Sequence, residues 1–338
     1  MKIGMVGLQS QTAISRALSQ STHSLIWSAS GASEALRKLD GSRAEVLLVS
    51  ASLSEMSPAA FTRAVLAKGQ CAVILLIDSD AERVAEVYEA MGAGALDVVN
   101  APSIDAQGQI SGAEALFLKL RTAGRLLGQV CQPSPPVDGP VPLAKCVSLV
   151  AIGASTGGPQ ALFTILGELP KGFPAAILIV QHVDKEFSEG LASWLRGGSA
   201  IGVEIAREGS VPSAGRALIA GTSDHMVMTA GGTLRYRAEP VDMPYRPSVD
   251  VLFSSLAEHW SAPAVAVLLT GMGRDGARGM KQLRQLGWHT IAQDEASSVV
   301  YGMPKAAALL GAACKILPPL AIAAELMEHV SKRRAAPH

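Results

Sequence analysis

Residues 150–158 read Val-Ala-Ile-Gly-Ala-Ser-Thr-Gly-Gly, an apolar run that stops at a small serine among glycines. The run has the length and β-branched character of a buried strand, predicted over Val147–Ile152. Gly153, Gly157 and Gly158 permit a sharp turn and the close approach of a ligand. The following Pro159-Gln-Ala-Leu-Phe-Thr-Ile-Leu reads as a helix with proline in its first turn. A strand, a tight turn and a helix make the repeating unit of an open parallel sheet. The serine at the tip places the Ser155 hydroxyl beside a helix N-terminus, where backbone N–H groups can hold an oxyanion.

The same alternation extends both ways along the chain. Downstream, Ala175–Gln181, Arg216–Ala220, Val265–Thr270 and His289–Ala292 read as strands. Helices are predicted at Pro159–Leu166, Phe187–Leu195, Val249–His259, Asp275–Leu286 and Pro304–Leu310, and a hairpin within Met226–Arg237, around Gly231-Gly232. Upstream, Ile3–Val6, Ser24–Ser28, Val46–Val49, Val73–Ile77 and Leu96–Val99 read as strands, separated by helical patterns at Ala13–Gln20, Ala32–Leu39, Pro58–Ala67 and Ala81–Met91. A β-α unit of about 20–25 residues marks a doubly wound sheet. Residues 111–130 give one more amphipathic helix, and Gln132-Pro-Ser-Pro-Pro-Val-Asp-Gly-Pro-Val-Pro gives an extended linker. The expected class is therefore α/β, with two doubly wound parallel-sheet domains: a (βα)5 domain over 1–103, a helix and proline-rich linker over 104–145, and a second domain with a β-hairpin over 146–330.

Composition narrows the function. The chain has 338 residues, 49% of them hydrophobic and 17% charged, which suits a folded protein of two domains. Lys plus Arg and Asp plus Glu both number 29, and only 4% of residues are aromatic, so nothing points to a nucleic acid partner. The four cysteines, Cys71, Cys131, Cys146 and Cys314, form no Cys-x-x-Cys pair; they read as reduced thiols of a cytoplasmic protein, with no metal site or cofactor implied. Met1-Lys-Ile-Gly-Met-Val-Gly is a strand rather than a leader, and no apolar run reaches about 18 residues, so no membrane insertion is expected.

Three polar groups of the second domain fall at or just past the carboxyl ends of apolar strands. Ser155 follows the first, His182 follows Ala-Ile-Leu-Ile-Val-Gln, and Asp275 follows Val265–Thr270 and the turn Gly271-Met-Gly-Arg. Ligands of open parallel sheets bind outside those strand ends. Distant stretches can thus deliver a nucleophile, a base and an orienting acid to one crevice. Each residue also has an ordinary reading: Ser155 as a turn residue, His182 as a polar strand end, Asp275 as the cap of the helix that follows it. Gly153-x-x-x-Gly157-Gly158 is neither a dinucleotide fingerprint nor a Walker loop, since it lacks the spacing of one and the lysine of the other.

Ala151-Ile-Gly-Ala-Ser-Thr-Gly-Gly-Pro, Gln181-His182, Asp224-His225-Met226, Arg246-Pro-Ser-Val-Asp-Val-Leu-Phe, Leu269-Thr-Gly-Met-Gly-Arg-Asp-Gly-Ala and Gln293-Asp-Glu-Ala-Ser-Ser-Val-Val-Tyr-Gly-Met-Pro are six segments in order. Together they resemble the chemotaxis protein-glutamate methylesterases, the CheB family, from residue 147 to about residue 320. The resemblance implies hydrolysis of glutamate γ-methyl esters on the cytoplasmic helices of bacterial methyl-accepting chemoreceptors, with glutamine deamidation in some members. It implies Ser155 as nucleophile, His182 as general base and Asp275 as its orienting acid. Met272 would help form the oxyanion hole through its backbone N–H, and Thr156 would support the serine loop, though Thr156 also reads as a helix-start cap. His225 and Arg246 fall in segments flanking the site and are candidate substrate contacts, or solvated surface residues. Where the family often carries Met-Pro after the histidine this chain has Val183-Asp184, which bears on receptor preference.

Residues 1–103 resemble a response-regulator receiver in pattern only. Receiver chemistry needs an acidic pair after strand one, a phospho-accepting aspartate after strand three and a lysine after strand five. Here those strands lead to Gly7-Leu8, to Ser50 and to Asn100-Ala101-Pro102. Without carboxylates to hold Mg²⁺, no phosphorylation is expected, and Ser50 stands where the aspartate would be. The expectation is a docking or regulatory unit, with a role in stability alone as the alternative. For the whole chain, the alternative to an enzyme is a non-catalytic adaptor that keeps the fold and binds other chemosensory proteins.

Overall fold

The computed structural model describes residues 1–19, 21–42, 44–69, 71–77, 84–105, 109–126, 148–262 and 264–335. The proline-rich linker and residues 81–83 of one expected helix lie outside them. The chain divides into two units, Met1–Gln132 and Pro133–His338.

In the first unit, β1 (Lys2–Val6), β2 (Ser24–Ala29), β3 (Val46–Ser50), β4 (Ala72–Ile77) and β5 (Asp97–Asn100) form a parallel sheet in the order β2-β1-β3-β4-β5. That order is the second common doubly wound arrangement. Helices α1 (Gln11–Ser19), α2 (Ala32–Gly41), α3 (Pro58–Ala67) and α4 (Val84–Gly92) connect the strands. A short antiparallel pair, β6 (Ser103–Ile104) and β7 (Ile110–Ser111), and α5 (Ala113–Leu126) follow. Ile3, Met5, Leu48, Ile74 and Leu76 meet Ile14, Leu18, Leu116 and Leu120 in its core. Lys119 on α5 pairs with buried Asp97 at 2.9 Å.

The second unit holds a seven-stranded parallel sheet built from β8 (Ser148–Ala154), β9 (Ala175–Gln181), β10 (Gly202–Ile205), β11 (Arg216–Ile219), β14 (Val265–Leu268), β15 (His289–Gln293) and β16 (Lys315–Leu317). Between β11 and β14 runs the expected hairpin of β12 (His225–Met228) and β13 (Leu234–Arg237). Helices α6 (Gly158–Glu168), α7 (Lys185–Gly197), α8 (Val249–His259), α9 (Ala277–Gln285), α10 (Met303–Leu309) and α11 (Pro319–Ala335) complete the unit. The order is β10-β11-β9-β8-β14-β15-β16. From β8 the chain moves to β9 on one side and later returns to β14 on the other, so the topology switches between β8 and β14. There the carboxyl ends of the strands open a crevice. All seven residues of β9 are buried, as befits a strand covered on both faces. Leu149, Ala151, Leu178, Val180 and Leu268 pack under Val249, Leu252, Phe253 and Met280.

Candidate active site

The serine turn is fixed by its backbone. Ser155 N–H donates to Thr270 O at 3.0 Å, across the switch between β8 and β14. Its carbonyl accepts from Gly158 N at 2.7 Å and from Gln181 Nε2 at 2.9 Å. Gly157, at φ +77°, is the N-cap of α6, a conformation that an L side chain resists. The cap is thus Gly157 rather than Thr156. The Thr156 carbonyl accepts instead from Thr270 Oγ1 at 2.9 Å, and Thr156 itself is buried. Gly271 passes so close that a Cβ there would lie 2.6 Å from Ser155 Cβ. Met272, the expected oxyanion donor, is the next residue along that backbone and is half-buried.

Ser155 and His182 are neighbours because the strands before them are paired in register. Ala154 faces Gln181 across β8 and β9, and His182 N–H donates to Ala154 O at 3.0 Å. Adjacent strands lie about 4.8 Å apart, so the two side chains emerge side by side. The His182 ring is nearly buried, with Nε2 2.8 Å from Asp275 Oδ2. Its Nδ1 is buried and has no hydrogen-bond partner among the described residues. Tyr245 stacks on the ring, with centroids 4.4 Å apart and planes within 5°.

Asp275 does not cap the helix that follows it; Gly276 does, and α9 starts at Ala277. The carboxylate turns instead to the N-terminus of α8. Oδ1 accepts from Ser248 Oγ at 2.8 Å, Asp250 N at 3.0 Å and Gly276 N at 3.1 Å. Oδ2 accepts from Val249 N at 2.7 Å and from His182. Burial opposes ionisation, but the hydrogen bond and charge of His182, with the N–H groups of Asp250 and Val249, outweigh it and hold the carboxyl below its ordinary value. The helix dipole acts in the same direction. Nearby Asp250 is pushed the other way, chiefly by burial.

His225 is not at the surface, so the expected substrate contact and the solvated alternative both fail for it. The ring is fully buried, because β12 packs against α8 with this residue inward. Ser248 N–H donates to His225 Nδ1 at 3.0 Å, and Nε2 lies 3.1 Å from Pro240 O. The ring is therefore neutral with its proton on Nε2; burial lowers its pKa. It braces Ser248, the N-cap of α8, which in turn binds Asp275. Arg246 is partly exposed and pairs with Asp224 at 3.0 Å, one residue from Tyr245. In the other unit, Ser50 is buried at the end of β3, and its Oγ accepts from Ser52 N at 3.0 Å.

Sequence reading missed Tyr245, Ser248, Thr270 and two buried glutamines that end their strands. Gln181 ties β9 to the serine loop. Gln293 closes β15, accepting from Thr270 N at 2.8 Å and donating to Ser297 O at 2.9 Å. A polar residue at the carboxyl end of an apolar strand was the available signal for both glutamines. Tyr245 and Ser248 lie in a loop with no such pattern.

The sequence model of one family, CheB methylesterase, matches residues 150–326, a span that includes Ser155, His182 and Asp275. The chain belongs to the CheB methylesterase family. A protein-glutamate methylesterase/protein-glutamine glutaminase of Burkholderia pseudomallei is 45% identical over 313 residues, 92% of each chain. A relative of the same name from Cupriavidus metallidurans is 43% identical over 330 residues, 97% of this chain and 98% of its own. That match extends through the first unit as well. The crystal structure of the Thermotoga maritima CheB methylesterase catalytic domain is 35% identical, with a TM-score of 0.52, over 55% of this chain and all of that one. Among the described residues no helix is long and apolar enough to cross a membrane.

Proposed function

We propose that this chain is a serine hydrolase that removes methyl groups from glutamate γ-methyl esters of bacterial chemoreceptors and, by the same chemistry, deamidates glutamines. The observation that carries the reading is the His182–Asp275 pair held beside Ser155 at the topological switch of the sheet.

Nε2 of His182 is committed to Asp275, so Nδ1 is the nitrogen available to Ser155. As Ser155 Oγ attacks the ester carbonyl, His182 Nδ1 takes its proton, and the Asp275 carboxylate stabilises the imidazolium. The tetrahedral intermediate carries its negative charge toward the Gly271–Met272 backbone and the start of α6. His182 then gives the proton to methoxide, and methanol departs. Water, deprotonated by the same nitrogen, attacks the acyl-serine and frees the glutamate. A glutamine substrate would release ammonia by the same steps. Exposed Arg246 is suited to an acidic receptor surface near the reacting residue, whereas His225 acts behind Asp275. The partner is a chemoreceptor's cytoplasmic helix bearing the methylated side chain. The first unit serves as a receiver-like docking or regulatory unit without phosphotransfer.

The test is methanol release from a methylated receptor fragment. Ser155→Ala is expected to lose about 10⁴-fold or more in kcat. Equal release by the two proteins would discard Ser155 as nucleophile and favour the adaptor.

A further inference from the structure

The segment from Gln293 to Met303 links β15 to α10 and supplies no member of the triad. It folds back onto the end of β14, where its contacts and those of the serine turn converge on one buried side chain, Thr270. Thr270 lies two residues past β14, beside the strand that leads to Ser155. The ladder between β8 and β14 ends there. Leu269 N–H donates to Gly153 O at 2.9 Å, and beyond it Ser155 N–H donates to Thr270 O.

Each polar group of Thr270 makes a different tie. Its carbonyl holds the nucleophile's own N–H, and its N–H donates to Gln293 Oε1. Its hydroxyl donates to Thr156 O at 2.9 Å and accepts from Val300 N–H at 2.9 Å. The hydroxyl thus bridges the residue after the nucleophile to the returning segment. Burial and a β-branched shape would be met as well by valine, the residue at 265 and 267 of the same strand. What valine cannot supply is the bridge.

The returning segment also fixes the neighbouring peptide. Gly271 N–H donates to Val300 O at 2.9 Å, so Gly271 is not the residue that supplies an oxyanion donor. The Gly271 carbonyl accepts from Gly302 N at 3.1 Å and Met303 N at 2.9 Å, at the start of α10. The peptide from Gly271 to Met272 is trans, so its C=O and N–H point in opposite directions. Pinning the Gly271 oxygen therefore sets the direction of the Met272 N–H. Donor and nucleophile come from different strands, and productive chemistry requires both within a fraction of an ångström.

We propose that Thr270 is a positioning residue of the esterase: its hydroxyl clamps the turn that carries Ser155 to the segment that aims the Met272 N–H. It touches no substrate atom and acts through the two groups it joins. The inference rests on the reading of Ser155 as nucleophile.

The experiment compares Thr270→Val and Thr270→Ser with the wild-type chain in methanol release and in residue-resolved amide hydrogen exchange. Thr270→Val is expected to lose about 10²-fold in kcat with KM unchanged. Thr270→Ser, which keeps the hydroxyl, should recover most of that loss. In the valine protein the amides of Ser155 and Val300 should exchange about tenfold faster or more, while that of His182, bonded to Ala154 O on the far side of β8, keeps its protection. A valine protein with kcat within about threefold of wild type overturns the proposal. So does a loss that serine does not recover, or a Ser155 amide as protected as in the wild type. If the valine protein does not fold, Thr270→Ala against Thr270→Ser decides, and equal kcat overturns the clamp. Ser155→Ala is assayed alongside. If it still releases methanol, the esterase reading fails by itself, and the exchange of the Ser155 amide alone judges the clamp.

Discussion

Replacing Asp275 by asparagine removes one charge at constant size, and the structure sets the cost. The carboxylate accepts five hydrogen bonds, three on Oδ1 and two on Oδ2. An amide has one oxygen and one NH₂. If the NH₂ takes the place of Oδ1, it opposes the N–H groups of Asp250 and Gly276, neither of which can turn. If it takes the place of Oδ2, it opposes only the Val249 N–H, because His182 can shift its proton and accept. The second orientation is favoured, and it orphans one buried donor, at about 1–3 kcal/mol. It also forces the His182 proton onto Nδ1, the nitrogen that must receive the proton of Ser155. In the Ser-His-Asp template this wrong tautomer costs about 10⁴-fold in kcat. The expected Asp275→Asn protein is therefore folded, less heat-stable by roughly 2–12 °C, and nearly inactive in methanol release. Activity within tenfold of wild type, with the lower melting temperature observed, would refute the assignment of Nδ1 as the base.

Tyr245 is expected to be a positioning residue. Tyr245→Ala should lower kcat about 2–10-fold with little change in KM, the worth of one aromatic pair, while Tyr245→Phe recovers most of it. His225 is buried neutral, with a folded-state pKa below the ordinary 6.5. Its contribution to stability is complete above pH 6.5 and is lost as pH falls below that value, because the unfolded chain then binds the proton first. Urea unfolding from pH 7.5 to 5 should show this decline, and His225→Gln should flatten it. Incubation with acetyl phosphate and Mg²⁺ should leave the first unit unmodified, since Ser50 is buried at the end of β3; stable incorporation of phosphate would reverse that reading.

The long internal strands were legible because burial on both faces writes a continuous apolar run, as in Ala175–Gln181. The edge strands of the seven-stranded sheet were not. β10 and β16 have four and three residues and are partly exposed, so neither leaves an apolar run. α11 was overlooked although Ile322, Leu326 and Val330 recur at four-residue intervals on its buried side. β14 was read two residues too long: Leu269 N–H still pairs with Gly153 O, but Thr270 N–H turns to the side chain of Gln293. For the site, three strand ends delivered Ser155, His182 and the turn before Asp275. What holds the acid was invisible, because Ser248, the start of α8 and His225 reach Asp275 only through tertiary packing. That same packing is why a histidine read as a surface contact lies fully buried.

The pairing of Ala154 with Gln181 has a stereochemical consequence. It sets Ser155 directly beside His182, so in the proposed mechanism the imidazole serves Ser155 with the nitrogen nearer its own Cβ, while the farther one spans to Asp275. An ester-shaped chloromethyl ketone entering from the crevice would therefore leave a π-alkylated histidine. The usual serine-protease arrangement yields the τ-alkylated isomer. Fragmentation or ¹⁵N spectra of the labelled protein distinguish the two, which makes the handedness of this triad a chemical property readable without crystals.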